Sequence, residues 1–163
     1  MGSTKKEKQP GLIEIFHKVS SFCAYRERSQ QEVLKKLYEL GVSPDLANDV
    51  LTQLIDENFL NEERFTRSYA GGKFRLKNWG KNKIKFALTG KGISETEIEK
   101  ALEDIDPEVY RTTLKKLLEK KYASLKDAEP YIKQQKIVRY GISKGYEPEL
   151  VWEMVREIAS ENK

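Results

Sequence analysis

Apolar residues recur along this chain at intervals of three and four, and no strand-length run alternates apolar with polar. The first such series, Leu12, Ile15/Phe16, Val19 and Phe22/Cys23, predicts a helix from about Leu12 to Arg28. Polar signals then separate one helical series from the next. Ser29-Gln30-Gln31-Glu32 and Ser94-Glu95-Thr96-Glu97 are capping boxes, in which a serine side chain takes up an amide of the first turn. Ser43-Pro44, Asp106-Pro107 and Glu147-Pro148 put proline at the first helical position, where its missing N–H costs nothing. Asn61 reads as an N-cap flanked by a hydrophobic staple, Leu60 with Phe65. Asp127 is expected to cap a helix holding Pro130 in its first turn.

The pattern repeats. Aligned on Gly41, Gly92 and Gly145, the chain shows apolar residues at matching offsets. Val33, Ile84 and Ile137 precede the glycines; Val42, Ile93 and Tyr146 follow them directly. Further on stand Val50/Ala101/Met154, Leu51/Leu102/Val155 and Leu54/Ile105/Ile158. One position breaks the match: Leu37 and Leu88 are answered by Gly141. Each glycine is placed to end a helix in the left-handed conformation. The expected fold is all-α: three tandem three-helix repeats in an elongated array, with about nine helices and no sheet. The repeats span 12–57, 58–104 (the basic one) and 105–163, after a flexible lead-in at 1–11.

Composition agrees with thin, repetitive packing, since 38% of residues are hydrophobic and 34% charged. One cysteine, Cys23, allows no internal disulfide, and one histidine, His17, leaves no multi-histidine metal site. Cys23 lies in an apolar stripe and is expected to be an inert packed thiol; His17 is expected at the edge of the core. No apolar run is long enough for a bilayer span, and Met1–Pro10 has no signal-peptide core. A reduced, cytoplasmic protein is expected. Phosphate-loop, dinucleotide and nucleophile-elbow motifs are missing, and the paired acids Asp56/Glu57 and Glu62/Glu63 sit at helix ends, where they suit the local dipole. No catalytic residue, metal or cofactor is predicted.

Charge is the most informative feature. The net charge is only +4, yet Arg64 to Lys91 holds nine cations and no acid, leaving the remainder at −5. The candidate partner- or nucleic-acid-binding residues are Arg64, Arg67, Tyr69, Lys73, Arg75, Lys77, Trp79, Lys81, Lys83, Lys85 and Lys91. Cations interleaved with aromatic rings suit phosphate contact with base stacking, or an acidic protein face. Lys73, Lys77, Lys81 and Lys85 are spaced by four, with Gly80 expected to break the helix between them. Phe65, Tyr69, Leu76 and Ile84 are expected in the core. Gly71-Gly72 allows a kink or a close approach. Arg26, Arg28, Lys35 and Lys36 alternate with Glu27, Glu32 and Glu39, which points to a solvated face.

Three stretches resemble the RecX family of bacterial regulatory proteins. Arg26-Glu27-Arg28-Ser29-Gln30-Gln31-Glu32-Val33-Leu34-Lys35-Lys36-Leu37 is similar to the family's R-E-x-S-x-x-E-L-x-x-K-L stretch. Leu60-Asn61-Glu62-Glu63-Arg64-Phe65, with Tyr69, forms the second. The third is Trp79-Gly80-Lys81-Asn82-Lys83-Ile84 with Leu88 and Lys91-Gly92-Ile93, where many members carry proline for Lys81, arginine for Lys83 and glutamate for Ala87. The resemblance implies tandem three-helix repeats. It also implies binding to RecA along the groove of its single-stranded-DNA filament, with reduced filament growth, ATP hydrolysis, strand exchange and coprotease support of the SOS response, and no nucleotide or metal of its own. RecA and its filament are thus the expected partners, with single-stranded or duplex DNA weaker, no membrane, and a monomeric chain. The alternative reading is a stand-alone helical DNA-binding module.

Overall fold

A computed structural model describes residues 11–162, so the expected lead-in lies, Gly11 apart, outside the described residues. Among the described residues there are nine helices and no strand. They are α1 (Leu12–Tyr25), α2 (Gln30–Glu39), α3 (Pro44–Asp56), α4 (Glu62–Lys77), α5 (Lys81–Gly90), α6 (Glu95–Glu103), α7 (Pro107–Ser124), α8 (Pro130–Ser143) and α9 (Pro148–Glu161).

Most helix starts follow the local chemistry. Ser29 and Ser94 accept from the amides of Glu32 and Glu97, and Asp106 accepts from those of Glu108 and Val109. Asn61 accepts from the amide of Arg64 at 2.9 Å, while Leu60 and Phe65 are both buried beside it. Pro44 opens α3 with Ser43 at the N-cap, as expected, without a side-chain capping bond. Two expectations are corrected. Pro130, not a residue capped by Asp127, opens α8, with Glu129 at the N-cap. And α1 ends at Tyr25, because Arg26 is already extended (φ −157°, ψ 165°).

The chain divides into two compact units, one ending at Phe65 and the other beginning at Thr66, so the division falls within α4. The core of the first unit joins Ile15, Val19 and Cys23 of α1 to Val33 and Leu37 of α2 and to Ala47, Val50 and Leu54 of α3, closed by Val42 and Leu60. Burying each of its large aliphatic side chains contributes about 1.5–3 kcal/mol. Phe16 meets the edge of Phe59 at 6.0 Å. Burial raises the pKa of the Cys23 thiol, which disfavours the reactive thiolate.

The three aligned glycines share one backbone role. Gly41, Gly92 and Gly145 have φ of 82°, 79° and 98°. At each, the residue after the glycine donates its amide five residues back: Val42 to Leu37 at 3.1 Å, Ile93 to Leu88 at 3.2 Å, Tyr146 to Gly141 at 3.2 Å. Each glycine's own amide bonds three residues back, to Tyr38, Thr89 and Ile142. These are Schellman terminations, which satisfy the last carbonyls of α2, α5 and α8. The odd third copy has a steric reason. A Cβ on Gly141 would lie 2.9 Å from Cγ1 of Val151 and 3.2 Å from Cδ2 of Leu118. The space a leucine fills in the other copies is here held by neighbours, and the fully buried Tyr146 supplies the bulk from the other end of the turn.

Within the second unit the α4–α5 link is bonded to the α8–α9 turn. Gly80 donates to the Lys144 carbonyl at 2.8 Å and Asn82 to the Gly145 carbonyl at 2.9 Å. The hydroxyl of Tyr146 donates to the Asn78 carbonyl at 3.1 Å. Phe74, Tyr110 and Tyr146 pack ring to ring at 5.8 and 5.0 Å. Tyr110 accepts from the Lys81 amide and donates to the Glu147 carboxylate.

A lysine and aromatic surface on the second unit

Helix α4 stops because Asn78 enters the left-handed region (φ 56°). The expected breaker, Gly80, instead caps α5 from an extended conformation. The new helix therefore starts in a new rotational phase, and the four-residue spacing of Lys73, Lys77, Lys81 and Lys85 does not carry across the link. Lys81 lies over the Tyr110 ring at 4.9 Å, and Lys85 reaches Glu95 at 3.5 Å.

A different set comes together. The Lys73 ammonium stands 5.4 Å from the Tyr69 ring and 4.9 Å from the Trp79 ring. Lys83 approaches the same indole at 4.7 Å, and Lys91 approaches Tyr69 at 5.5 Å. The resulting order is Lys91, Tyr69, Lys73, Trp79, Lys83, with both rings half-buried. Each cation–π contact at such a site is worth about 0.5–1 kcal/mol, enough to orient a lysine while leaving its charge to a ligand. Among the described residues no carboxylate pairs with Lys73, Arg75, Lys77 or Lys83. Phe86 stands 82% exposed on α5, three residues from Lys83 and so on the same side of that helix. The sequence reading does not single it out, though its offset from the buried Ile84 and Leu88 is the signal that places it outside.

Two of the other candidates, Arg64 and Arg67, are engaged within the fold. Arg64 donates through Nε to Glu27 at 2.9 Å and through its terminal nitrogens to Asn58, whose φ of 64° marks the sharp α3–α4 turn. Arg67 pairs with Asp104 at 3.1 Å. Arg75 and Lys77 lie exposed near the end of α4, and Lys144 donates to the Lys77 carbonyl at 3.0 Å. Leu76, expected in the core, is 82% exposed, and Tyr69 is only half-buried; Phe65 and Ile84 are core as expected. Helix α4 runs unbroken through Gly71-Gly72. A Cβ on Gly71 would meet only the Arg75 guanidinium, at 2.7 Å, and one on Gly72 would meet nothing. No neighbouring helix requires either glycine.

No helix among the described residues is long and apolar enough to cross a membrane. The repeated turns and cores define a tandem three-helix repeat protein. Models of the RecX three-helix domains match it in order: the first domain at residues 17–54, the second at 61–102 and the third at 108–155. The chain is 36% identical over 135 residues to the regulatory protein RecX of Clostridium perfringens (strain 13 / Type A), covering 82% of this chain and 63% of that protein. It is 35% identical over 133 residues to the RecX of Clostridium tetani, covering 80% of this chain and 59% of that protein. This chain belongs to the RecX family. It spans about three fifths of the length of the curated relatives it matches. The crystal structure of RecX from Lactobacillus salivarius has the same fold, with a TM-score of 0.82 at 23% identity, covering 90% of this chain and 95% of that one.

Proposed function

We propose that this chain binds RecA and its single-stranded-DNA filament and restrains the filament's recombinase, ATPase and coprotease activities. The reading is supported by RecX family membership together with one observation, the lysines of the second domain gathered around Tyr69 and Trp79. Three ammonium groups around two rings suit a polyanion: phosphates take the charges and an unstacked base can lie against an aromatic face. The chain then acts by occupancy, with the lysine surface against filament DNA or an acidic RecA face.

The test is single-stranded-DNA-dependent ATP hydrolysis by RecA of the same organism, titrated with this protein. Inhibition at substoichiometric amounts is expected of a regulator acting at filament ends or across several subunits. Unchanged hydrolysis, with intact filaments and no co-sedimentation, would overturn the reading. The Trp79 and Tyr69 rings also favour a second reading, a helical module that binds DNA by itself. Tight binding to DNA without RecA, and no effect on RecA hydrolysis, would select it.

A further inference from the structure

The α1–α2 link of the first unit carries a charge that the lysine surface does not use. Arg28, expected on a solvated face, is only 8% exposed. Its Nε donates to the Phe22 carbonyl at 3.0 Å, and its guanidinium carbon lies 3.7 Å from the centre of the Phe22 ring. Neither terminal nitrogen has an acceptor among the described residues. The acids nearby in sequence pair with other cations, Glu27 with Arg64 at 2.9 Å and Glu32 with Arg26 at 3.3 Å, while the Glu32 charge partly offsets that of Arg28 without a bond to it. Burial, followed by the neighbouring Arg26 charge, lowers the Arg28 pKa below the usual arginine value. A buried cation held without a bonded counter-charge is costly, and the cost is relieved when an anion arrives.

The guanidinium lines a cavity of about 250 Å³, walled by Arg26, Glu32, Lys35, Lys36 and Glu39. Lys36 also approaches the Phe22 ring, at 5.6 Å. We propose that this cavity receives carboxylate side chains from an acidic segment of a partner protein, with Arg28 as the receiving fork and Lys35 and Lys36 beside it. A planar guanidinium presents paired donors that match the two oxygens of a carboxylate. Nucleic acid fits less well. The ring face that could stack a base is covered by Arg28.

The proposal is independent of the RecA reading, and its test contains no RecA. A fluorescein-labelled oligoglutamate peptide is titrated with the full chain at low salt and followed by anisotropy. Saturable binding is expected, weakened about tenfold by Arg28→Gln, which removes one charge-assisted hydrogen-bonded pair. Arg28→Lys, which keeps the charge and loses the fork, should weaken it nearly as much. Lys83→Gln, on the other unit, should leave it unchanged. Should Arg28→Gln fail to fold by circular dichroism, the Lys35→Gln/Lys36→Gln pair on the outer side of α2 decides in its place, with the same direction of effect. Binding insensitive to both changes, or abolished by Lys83→Gln, would overturn the proposal. So would tighter, Arg28-dependent binding of an oligothymidylate of equal charge, which would assign the cavity to nucleic acid.

Discussion

A Cβ placed on Gly80 would lie 2.3 Å from the carbonyl carbon of Gly145, so the two glycines mark a crossing of backbones with no room for a side chain. The two amides bonded across it, from Gly80 and Asn82, depend on that approach. Gly80→Ala is therefore expected to destabilise the second unit by about 3 kcal/mol, through overlap with main chain that cannot swing aside and through weakened hydrogen bonds. Urea unfolding, followed in the second unit by Trp79 and Trp152 fluorescence, measures it.

Gly41 and Gly145 end helices in the same way but should respond differently to alanine. At Gly41 the φ of 82° is the whole penalty, because nothing lies within 4 Å of an added Cβ. Gly41→Ala should cost about 1–2 kcal/mol, the penalty for a left-handed L-residue. At Gly145 the same backbone cost is joined by a Cβ only 2.3 Å from that of Lys83. Gly145→Ala should cost clearly more, and equal losses in paired denaturation curves would contradict this account.

Those two glycines also mark what is legible in the sequence. The turns, most caps and the buried triplets are consequences of local spacing, and Val33, Ile84 and Ile137 are all fully buried as their common offset implies. The candidate surface is legible as a composition but not as a geometry. Lys73 and Lys83 share the Trp79 ring because Asn78 resets the helical phase, and a four-residue ruler laid across residues 73–85 cannot register that reset. Arg28 escapes the pattern for a related reason: an alternation of charges looks solvated until the chain leaves α1 at Arg26 and folds the next cation over Phe22. Contacts such as Tyr110 with Lys81 join residues with no local pattern between them.

Tyr110 and Tyr146 should resist ionisation. Burial raises both pKa values well above the ordinary tyrosine range, reinforced at Tyr110 by its bond to Glu147 and at Tyr146 by the Glu147 charge. Since the folded values lie above the unfolded ones, the stability these hydroxyls contribute is complete below the ordinary tyrosine pKa. It is lost as pH rises from there towards the raised values. In an ultraviolet titration the native protein should lack the signal of these two among its eight tyrosines, and urea should restore it. Tyr110→Phe should cost about 1–3 kcal/mol, by stranding the Glu147 carboxylate and the Lys81 amide.

At the opposite end of the pH range, the α7–α9 pairing should weaken. Arg111 forks onto Glu153 at 2.9 and 3.2 Å, and Lys115 reaches Glu157 at 3.5 Å and Glu161 at 2.6 Å. The Arg111 bond holds the Glu153 pKa below the usual carboxylate value. Its contribution is thus present above that value and disappears as pH falls through the depressed one. The groups are exposed, so the effect should be small and salt-sensitive. Melting temperatures of the native protein and of Glu153→Gln should converge on acidification; a constant gap across neutral and acid pH would sink the assignment.

The lysine surface makes the sharpest functional prediction. If Lys73 and Lys83 meet phosphates, reversing both should weaken RecA-filament binding and also flatten its dependence on salt. Each lysine–phosphate pairing that is broken should take about 0.7 off the slope of log affinity against log salt on single-stranded DNA. The Lys85→Glu change should do little, because that lysine already faces Glu95. Trp79→Ala should lower affinity by about 1–3 kcal/mol with the salt slope preserved, if the ring stacks on a base. An acidic RecA face would give the same weakening on charge reversal, and binding would then persist on filaments assembled without DNA. Co-sedimentation across a salt series, with these variants, separates the two modes. Equal weakening by Lys73→Glu/Lys83→Glu and by Lys81→Glu/Lys85→Glu would mean that net charge, rather than the grouping around Trp79, governs the encounter.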